Sequence, residues 1–253
     1  MFDAMLNGRI DTEGLEFDLR FADIEELNEA LTGNSAPDIS KASYALYAQV
    51  ENRYLILDSG SALGEGNGPL LVTADEEADS TDYSMRIAIP GVHTTANLLL
   101  ERLYPHFTLK YPYVFSEIMD VVEGGTCDAG VLIHEGRFVY HNKGLFLLSD
   151  LGLEWERTTG LPLPLGAILV SRKLPVEVRT KINRILRRSI EYAFAHPDDS
   201  AAFVKSHAQE MDPEVIKRHI ALFVNDYSLS LGEKGLEAVA RLLGENIDGR
   251  VQK

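Results

Sequence analysis

The sequence has a single cysteine, Cys127, so a disulfide bond within the chain is excluded. It contains no apolar run of the ~18 residues that a membrane-spanning helix needs. Its first 20 residues lack the basic start, apolar centre and cleavage site of a signal peptide. Positive charge is scarce, because 24 Lys and Arg residues face 39 Asp and Glu residues and leave a formal net charge of −15. Since an acidic surface repels nucleic acid and anionic membranes, we expect neither as a partner. Because the sequence shows no signal peptide, membrane span or disulfide, we predict a cytoplasmic protein.

Several catalytic motifs are also missing. His134 and Glu135 are not followed by the second histidine of the helical zinc motif, and no Cys/His cluster occurs elsewhere, so we expect no catalytic metal. The sequence has no Gly-x-Ser-x-Gly nucleophile elbow. The glycines within residues 64–68 precede neither a helix nor a Gly-Lys-Ser/Thr sequence, so they form neither a dinucleotide fingerprint nor a P-loop.

The patterns that are present predict an α/β protein of two lobes. The 253 residues, 45% hydrophobic and 25% charged, suffice for one large domain or two ordinary ones. Apolar or alternating runs predict strands at 15–22, 54–57, 70–72, 86–89, 131–133 and 161–170. Helical spacing predicts helices between these strands and over 175–196, 200–207, 213–225 and 233–243.

The order of these elements predicts how the lobes are divided. The chain builds one α/β unit, builds a second, returns through the proline-stiffened strand at 161–170 and ends in helices. We therefore assign residues 1–82 and 163–253 to the first lobe and residues 83–162 to the second. A cleft between lobes is a favoured place for a ligand.

His134 is the first candidate for chemistry. It follows the apolar run 131–133, and in open α/β sheets ligands bind where strands end. An imidazole with an ordinary pKa near ~6.5 suits proton transfer. The alternative is a histidine that ends a strand in solvent.

Two strand-to-helix turns are candidates for anion binding. Thr94 and Thr95 begin a predicted helix, where free N–H groups and the helix dipole attract a carboxylate or phosphate. Helix capping by threonine explains the same pattern. Lys41, Ala42 and Ser43 combine a cation, a hydroxyl and backbone donors in the other lobe; a solvated lysine beside an N-cap is the alternative.

The loop at 59–68 is a further candidate for the wall of the cleft. It carries hydroxyls at Ser59 and Ser61 and glycines that include Gly66 and Gly68. Glycine permits close approach of the backbone to a ligand or to another backbone segment.

Taken together, these stretches resemble the 1,4-dihydroxy-6-naphthoate synthase family of the futalosine route to menaquinone. The resemblance covers nearly the whole chain and depends on the order and spacing of modest motifs. These motifs lie at residues 8–15, 23–28, 58–64, 66–69, 90–91, 94–96, 128–135, 225–228 and 231–232.

The resemblance implies a two-lobed fold of the type II periplasmic-binding-protein kind, used for catalysis inside the cell. It implies a lyase without an organic cofactor that converts cyclic dehypoxanthinylfutalosine, a small carboxylate-bearing substrate, to 1,4-dihydroxy-6-naphthoate. The family's catalytic base matches His134. Its substrate-binding positions match Lys41, Ala42, Ser43, Thr94 and Thr95.

One departure from the family pattern concerns the start of the chain. Family members usually have a strand and a Ser-Pro-Cys-Pro-Asn-Asp-Thr turn before the segment that matches residues 2–5. We therefore expect an inner strand of the first lobe, with its polar turn, to be absent.

Two other functions fit a protein of this kind. One is a solute-binding protein that holds a small carboxylate without turning it over, and the other is the sister enzyme that dehydrates chorismate. The His134–Arg137 segment and the loop after residue 58 resemble the naphthoate synthases instead. A homodimer is compatible with the sequence, which does not fix the oligomeric state.

Overall fold

A computed structural model describes residues 1–207 and 213–253, and its strands form two separate five-stranded sheets. The strands are β1 (Ile39–Ser43), β2 (Tyr54–Leu57), β3 (Ala62–Gly64), β4 (Leu70–Thr73), β5 (Ile87–Ile89), β6 (Lys110–Pro112), β7 (Ala129–Leu132), β8 (Phe146–Asp150), β9 (Leu163–Ser171) and β10 (Val251–Gln252).

Helices separate most of these strands and dominate the end of the chain. They are α1 (Asp3–Leu6), α2 (Ile24–Thr32), α3 (Tyr44–Val50), α4 (Thr95–Leu103), α5 (Ile118–Glu123), α6 (Gly136–Val139), α7 (Leu151–Thr159), α8 (Val176–Ala195), α9 (Ala201–His207), α10 (Pro213–Phe223), α11 (Asp226–Leu229) and α12 (Gly232–Leu243). Short 3₁₀ turns occur at Phe115–Glu117, Tyr140–Lys143 and Pro197–Ser200.

The first sheet is organised around β9. This strand pairs antiparallel with β1, β2 and β3, and β10 adds to β2 in the parallel direction. The central residues Ile168, Leu169 and Val170 are buried on both faces, as a central strand requires. The prediction of a buried returning strand at 161–170 is confirmed, with β9 beginning at Leu163.

The second sheet has the order β6-β5-β7-β4-β8. Parallel pairing joins β5 to β6 and to β7, whereas β4 runs antiparallel to β7 and β8. Helix α5 packs closely on β7 at Gly130, where a Cβ atom would lie 2.6 Å from a methyl group of Ile118 and 2.7 Å from one of Val122. The absence of a side chain at Gly130 therefore sets how closely α5 approaches the strand that leads to His134.

The sheets divide the chain differently from the lobe boundary that we expected at residue 82. That boundary kept residues 70–73 in the first lobe, but β4 pairs with β7 and β8 of the second sheet. The chain therefore passes to the second sheet before β4. A short apolar run such as 70–73 fits a buried position in either sheet, so its pattern does not reveal its partners.

The predicted strand at residues 15–22 is not formed. This segment has no regular secondary structure, and none of the strands within the described ranges pairs with it. Alternation of apolar residues predicts a strand only where a neighbour supplies hydrogen bonds. Leu15 packs against the first-lobe core, whereas Leu19 and Phe21 are exposed.

The apolar core continues from one sheet to the other. Its largest cluster joins Tyr47 and Leu169 of the first sheet region to Leu71, Ile89 and Leu99 of the second. Among the described residues, no helix is both long and apolar enough to cross a membrane. The shared core holds the ends of β1, β5 and β7 close together.

We predict that Gly130→Ala lowers the free energy of unfolding by about 1–3 kcal/mol, because the added methyl group overpacks the contact between α5 and β7. Urea unfolding followed by circular dichroism measures this change. Gly33→Ala is the matched control, since Gly33 has φ −74° and only an ordinary contact at its Cβ position. Equal stability of the two variants would contradict the packing argument.

Candidate active site

A cleft lies between the two sheets where β1, β5 and β7 end. Its empty space of about 690 Å³ includes volume that is open to solvent, and residues from both halves of the molecule form its walls. Apolar side chains from both sheets form much of its wall, including Ile24, Ile133, Leu165 and Phe223. Among them stand the polar groups of Lys41, Ser43, Thr94, Thr95 and His134.

His134 lies in this cleft, two residues after β7 ends at Leu132. Its backbone has φ 55°, in the left-handed region that a residue other than glycine seldom adopts. The ring of Phe115 contacts the imidazole in a T-shaped arrangement, with the centroids 4.8 Å apart. A strained backbone persists only where the surrounding structure enforces it, and such positions are common at functional sites.

Thr94 is the N-cap of α4. Its Oγ1 accepts a hydrogen bond from the Asn97 N–H at 3.2 Å and donates one to the Gly91 carbonyl at 2.8 Å. The hydroxyl is therefore engaged within the turn. The N–H groups of Thr95 and Ala96, in the first turn of α4, meet no acceptor among the described residues, so the positive end of this helix remains open to an anion.

Thr95 joins the two halves of the molecule. Its Oγ1 donates to the Leu165 carbonyl of β9 at 2.8 Å and accepts from the Ala45 N–H of α3 at 3.4 Å. Both partners belong to the first-sheet half, whereas Thr95 begins the helix that follows β5. The doubled threonine thus combines a helix cap with a contact between the lobes.

Lys41, Ala42 and Ser43 are the last three residues of β1 rather than a turn after it. The alternation of a strand points Lys41 and Ser43 into the cleft. Ala42 points the other way and is buried in the core beside β9, so its side chain does not line the cleft.

Lys41 contributes an amine to the wall of the cleft. Loss of hydration on burial lowers its pKa below the ordinary value, and the nearby charge of Asp23 opposes this effect only in part. Lys41 makes no ion pair with the described residues. Lys41 and His134 also border a second, larger groove that opens towards Phe21 and Phe115.

The candidate loop at 59–68 contributes less to the cleft than we expected. Ser59 is fully buried and its Oγ donates to the Leu229 carbonyl, while the hydroxyl of Ser61 bonds that of Tyr44. Neither serine lines the cleft, because both satisfy polar groups inside the first lobe.

The two candidate glycines of this loop differ in position. Gly66 lies outside the cleft lining, with φ 62° and its N–H bonded to the Glu156 carboxylate. Gly68 does line the cleft and packs against Gly152, where a Cβ atom would lie only 2.6 Å from the Gly152 Cα. Its close approach is to another backbone segment, which was one of the two expected uses of glycine here.

Sequence patterns missed most of the apolar wall. Leu165 and Gly166 of β9 line the cleft, and Phe223 reaches it from the end of α10. The predicted return of the chain between the lobes at 161–170 was the sequence signal that could have identified Leu165 and Gly166. Phe223 carries no local signal, since it continues the apolar stripe of its helix.

The sequence matches the model of a protein family described as "Menaquinone biosynthesis" over residues 1–245. It is also 42% identical over 245 residues to a 1,4-dihydroxy-6-naphthoate synthase from Thermus thermophilus, an alignment that covers 97% of this chain and 88% of that protein. The chain belongs to the menaquinone biosynthesis family.

Solved structures define the fold. A protein from Archaeoglobus fulgidus, 36% identical, superimposes with a TM-score of 0.89 over 96% of this chain and 90% of its own. A Candida albicans gene product described as having the generic periplasmic binding protein fold gives a TM-score of 0.60 at 12% identity, covering 90% of this chain and 83% of its own. The predicted periplasmic-binding-protein-like α/β fold is confirmed.

We predict that Thr95→Val destabilises the protein by about 1–3 kcal/mol, because it leaves the Leu165 carbonyl and the Ala45 N–H without their partner. Thr95→Ser keeps the hydroxyl and serves as the control, for which we expect a loss below ~1 kcal/mol on the same grounds. Chemical unfolding of both variants gives the difference. If the two variants are equally stable, the hydroxyl does not join the lobes.

Proposed function

We propose that this protein is a 1,4-dihydroxy-6-naphthoate synthase that acts as a lyase on cyclic dehypoxanthinylfutalosine in menaquinone biosynthesis. The observation that carries the proposal is the meeting of His134, Lys41, Ser43 and the N-terminus of α4 in one cleft. These are the positions at which the sequence matches the family's base and substrate-binding residues. In this proposal, each lobe of the protein is one of the two sheets with its helices, and the protein acts in the cytoplasm.

The substrate's carboxylate is held by groups from the first lobe and the second. The Lys41 ammonium supplies charge and the Ser43 hydroxyl supplies a donor, while the N–H groups of Thr95 and Ala96 face the cleft from the opposite side. Such a local arrangement binds an anion even though the protein's formal net charge is −15. A substrate gripped from both sides also draws the lobes together and excludes water.

His134 is the general base of the proposed reaction. Its neutral imidazole removes a proton from the substrate, and the bond cleavage that follows releases the sugar-derived fragment. Formation of the second aromatic ring drives the reaction forward. Phe115 supports the proposal by limiting how the imidazole can turn.

We predict that His134→Asn lowers kcat by about 10² to 10⁴-fold, since a positioned base contributes that much to the rate. Asparagine is chosen because it tolerates the left-handed backbone of this position. Formation of 1,4-dihydroxy-6-naphthoate from cyclic dehypoxanthinylfutalosine is followed by absorbance. His141→Asn, an exposed histidine of the same lobe, is the control.

Turnover of His134→Asn within a few-fold of the wild type would show that another group is the base. The same assay separates the competing functions. A solute-binding protein binds the substrate without product formation, and a chorismate dehydratase consumes chorismate instead.

We predict that kcat/KM declines on the alkaline side as Lys41 loses its proton, because only the ammonium form attracts the carboxylate. The pKa of this amine is lowered by burial, so the decline begins at a lower pH than it would for an ordinary lysine. In Lys41→Arg the guanidinium keeps its charge, so this decline is absent. A pH profile of kcat/KM for both proteins makes the comparison, and an unchanged alkaline limb in the arginine variant would contradict the role of Lys41.

A further inference from the structure

A chain of buried polar groups lies behind Ser43 and leads away from the cleft. The Ser43 N–H donates to Oδ1 of Asn28 at 2.9 Å, and Nδ2 of Asn28 lies 3.1 Å from Oγ of Ser43. The same Nδ2 lies 3.2 Å from Oε2 of Glu25. Asn28 is fully buried, Ser43 is almost so, and the Glu25 side chain is 15% exposed.

The hydrogen-bond donors and acceptors of Ser43, Asn28 and Glu25 have only one consistent arrangement. A backbone N–H can only donate, so the atom of Asn28 that faces the Ser43 N–H is the carbonyl oxygen. The two hydrogens of the Asn28 NH₂ group are then accepted by the Glu25 carboxylate and by the Ser43 hydroxyl oxygen. Because Ser43 Oγ accepts from Asn28, its own hydrogen is left to donate. No acceptor for that hydrogen lies within the described residues, and Ser43 lines the cleft.

Glu25 also reaches the other lobe. Its Oε1 accepts from the His93 N–H at 3.0 Å and from Nδ1 of His93 at 2.9 Å. A carboxylate offers no hydrogen, so Nδ1 carries the proton in this contact. The carboxylate lies against Gly91, where φ is 141° and a Cβ atom would come within 2.4 Å of the Glu25 carboxyl carbon. Glu25 thus touches the turn that leads into α4.

We propose that Glu25 is a positioning residue that acts through Asn28 to present the Ser43 hydroxyl as a hydrogen-bond donor to a carboxylate oxygen of the substrate. Its contact with His93 holds the turn before α4 at the same time. One partly buried carboxylate therefore orients anion-binding groups on both sides of the cleft. The identity of the substrate rests on the proposed function, whereas the orientation of the Ser43 hydroxyl does not.

Glu25→Gln tests the proposal with little change of shape. The substituted amide brings an NH₂ group to a site where His93 and Asn28 both donate, so at least one of these contacts is lost. We expect KM to rise about 10- to 100-fold, as for a lost hydrogen bond to a charged group, while kcat changes less than about threefold. Glu26→Gln is the matched control, because it removes the same charge from the next position, where the side chain is half exposed and pairs with Arg20.

A double-mutant comparison shows whether Glu25 acts through Ser43. In a Ser43→Ala background, we expect Glu25→Gln to raise KM less than about threefold further, since the hydroxyl that it orients is gone. An equal effect in both backgrounds, or a KM of Glu25→Gln close to that of Glu26→Gln, would overturn the proposal. If Glu25→Gln does not fold, Glu25→Asp is measured in its place, because it keeps the charge but withdraws the carboxylate from Asn28 and His93.

The dissociation constant for 2-naphthoate provides a readout that does not need turnover. If the wild type does not act on cyclic dehypoxanthinylfutalosine, the proposed function fails. The wild type, Glu25→Gln, Ser43→Ala and the double variant are then compared by titration calorimetry with this carboxylate. A weaker affinity in Glu25→Gln that disappears in the Ser43→Ala background supports the positioning role. Equal affinity of Glu25→Gln and the wild type overturns it.

Discussion

The hydroxyl of Thr95 fixes the relation between the two halves of the protein on which the site depends. By donating to the Leu165 carbonyl and accepting from the Ala45 N–H, it anchors the start of α4 against β9 and α3. The side chain is buried, so water does not compete for these bonds. Because Thr95 also lies in the first turn of α4, the contact that joins the lobes places N–H groups without an acceptor in the described part of the chain opposite the end of β1.

The catalytic candidate is held by constraints of a different kind. Tight packing of α5 at Gly130 sets the course of β7, and the chain then turns through a left-handed residue at His134. Phe115 limits the imidazole from one side. The candidate binding groups and the candidate base thus come from separate strand ends, and a shared core keeps these ends together. This division allows one fold to serve solute binding in some proteins and catalysis in others.

Sequence patterns predicted those parts of the site that depend only on neighbouring residues in the sequence. A helix start after a strand identified Thr94 and Thr95, and the end of an apolar run identified His134. The patterns failed where the outcome depends on distant partners. Residues 15–22 have the alternation of a strand but meet no neighbouring strand within residues 1–207 and 213–253. Ser59 turns inward to a carbonyl at position 229, and Glu25 meets His93 across 68 positions of sequence.

A crystal structure of the His134→Asn protein with cyclic dehypoxanthinylfutalosine tests the central claim, which is that one cleft grips the substrate from both lobes. The account predicts that the carboxylate lies within hydrogen-bond distance of Lys41 and Ser43 and also of the N–H groups of Thr95 and Ala96. It also predicts that the reacting carbon faces residue 134. A substrate bound outside this cleft, or bound to one lobe with residue 134 turned away, would contradict it.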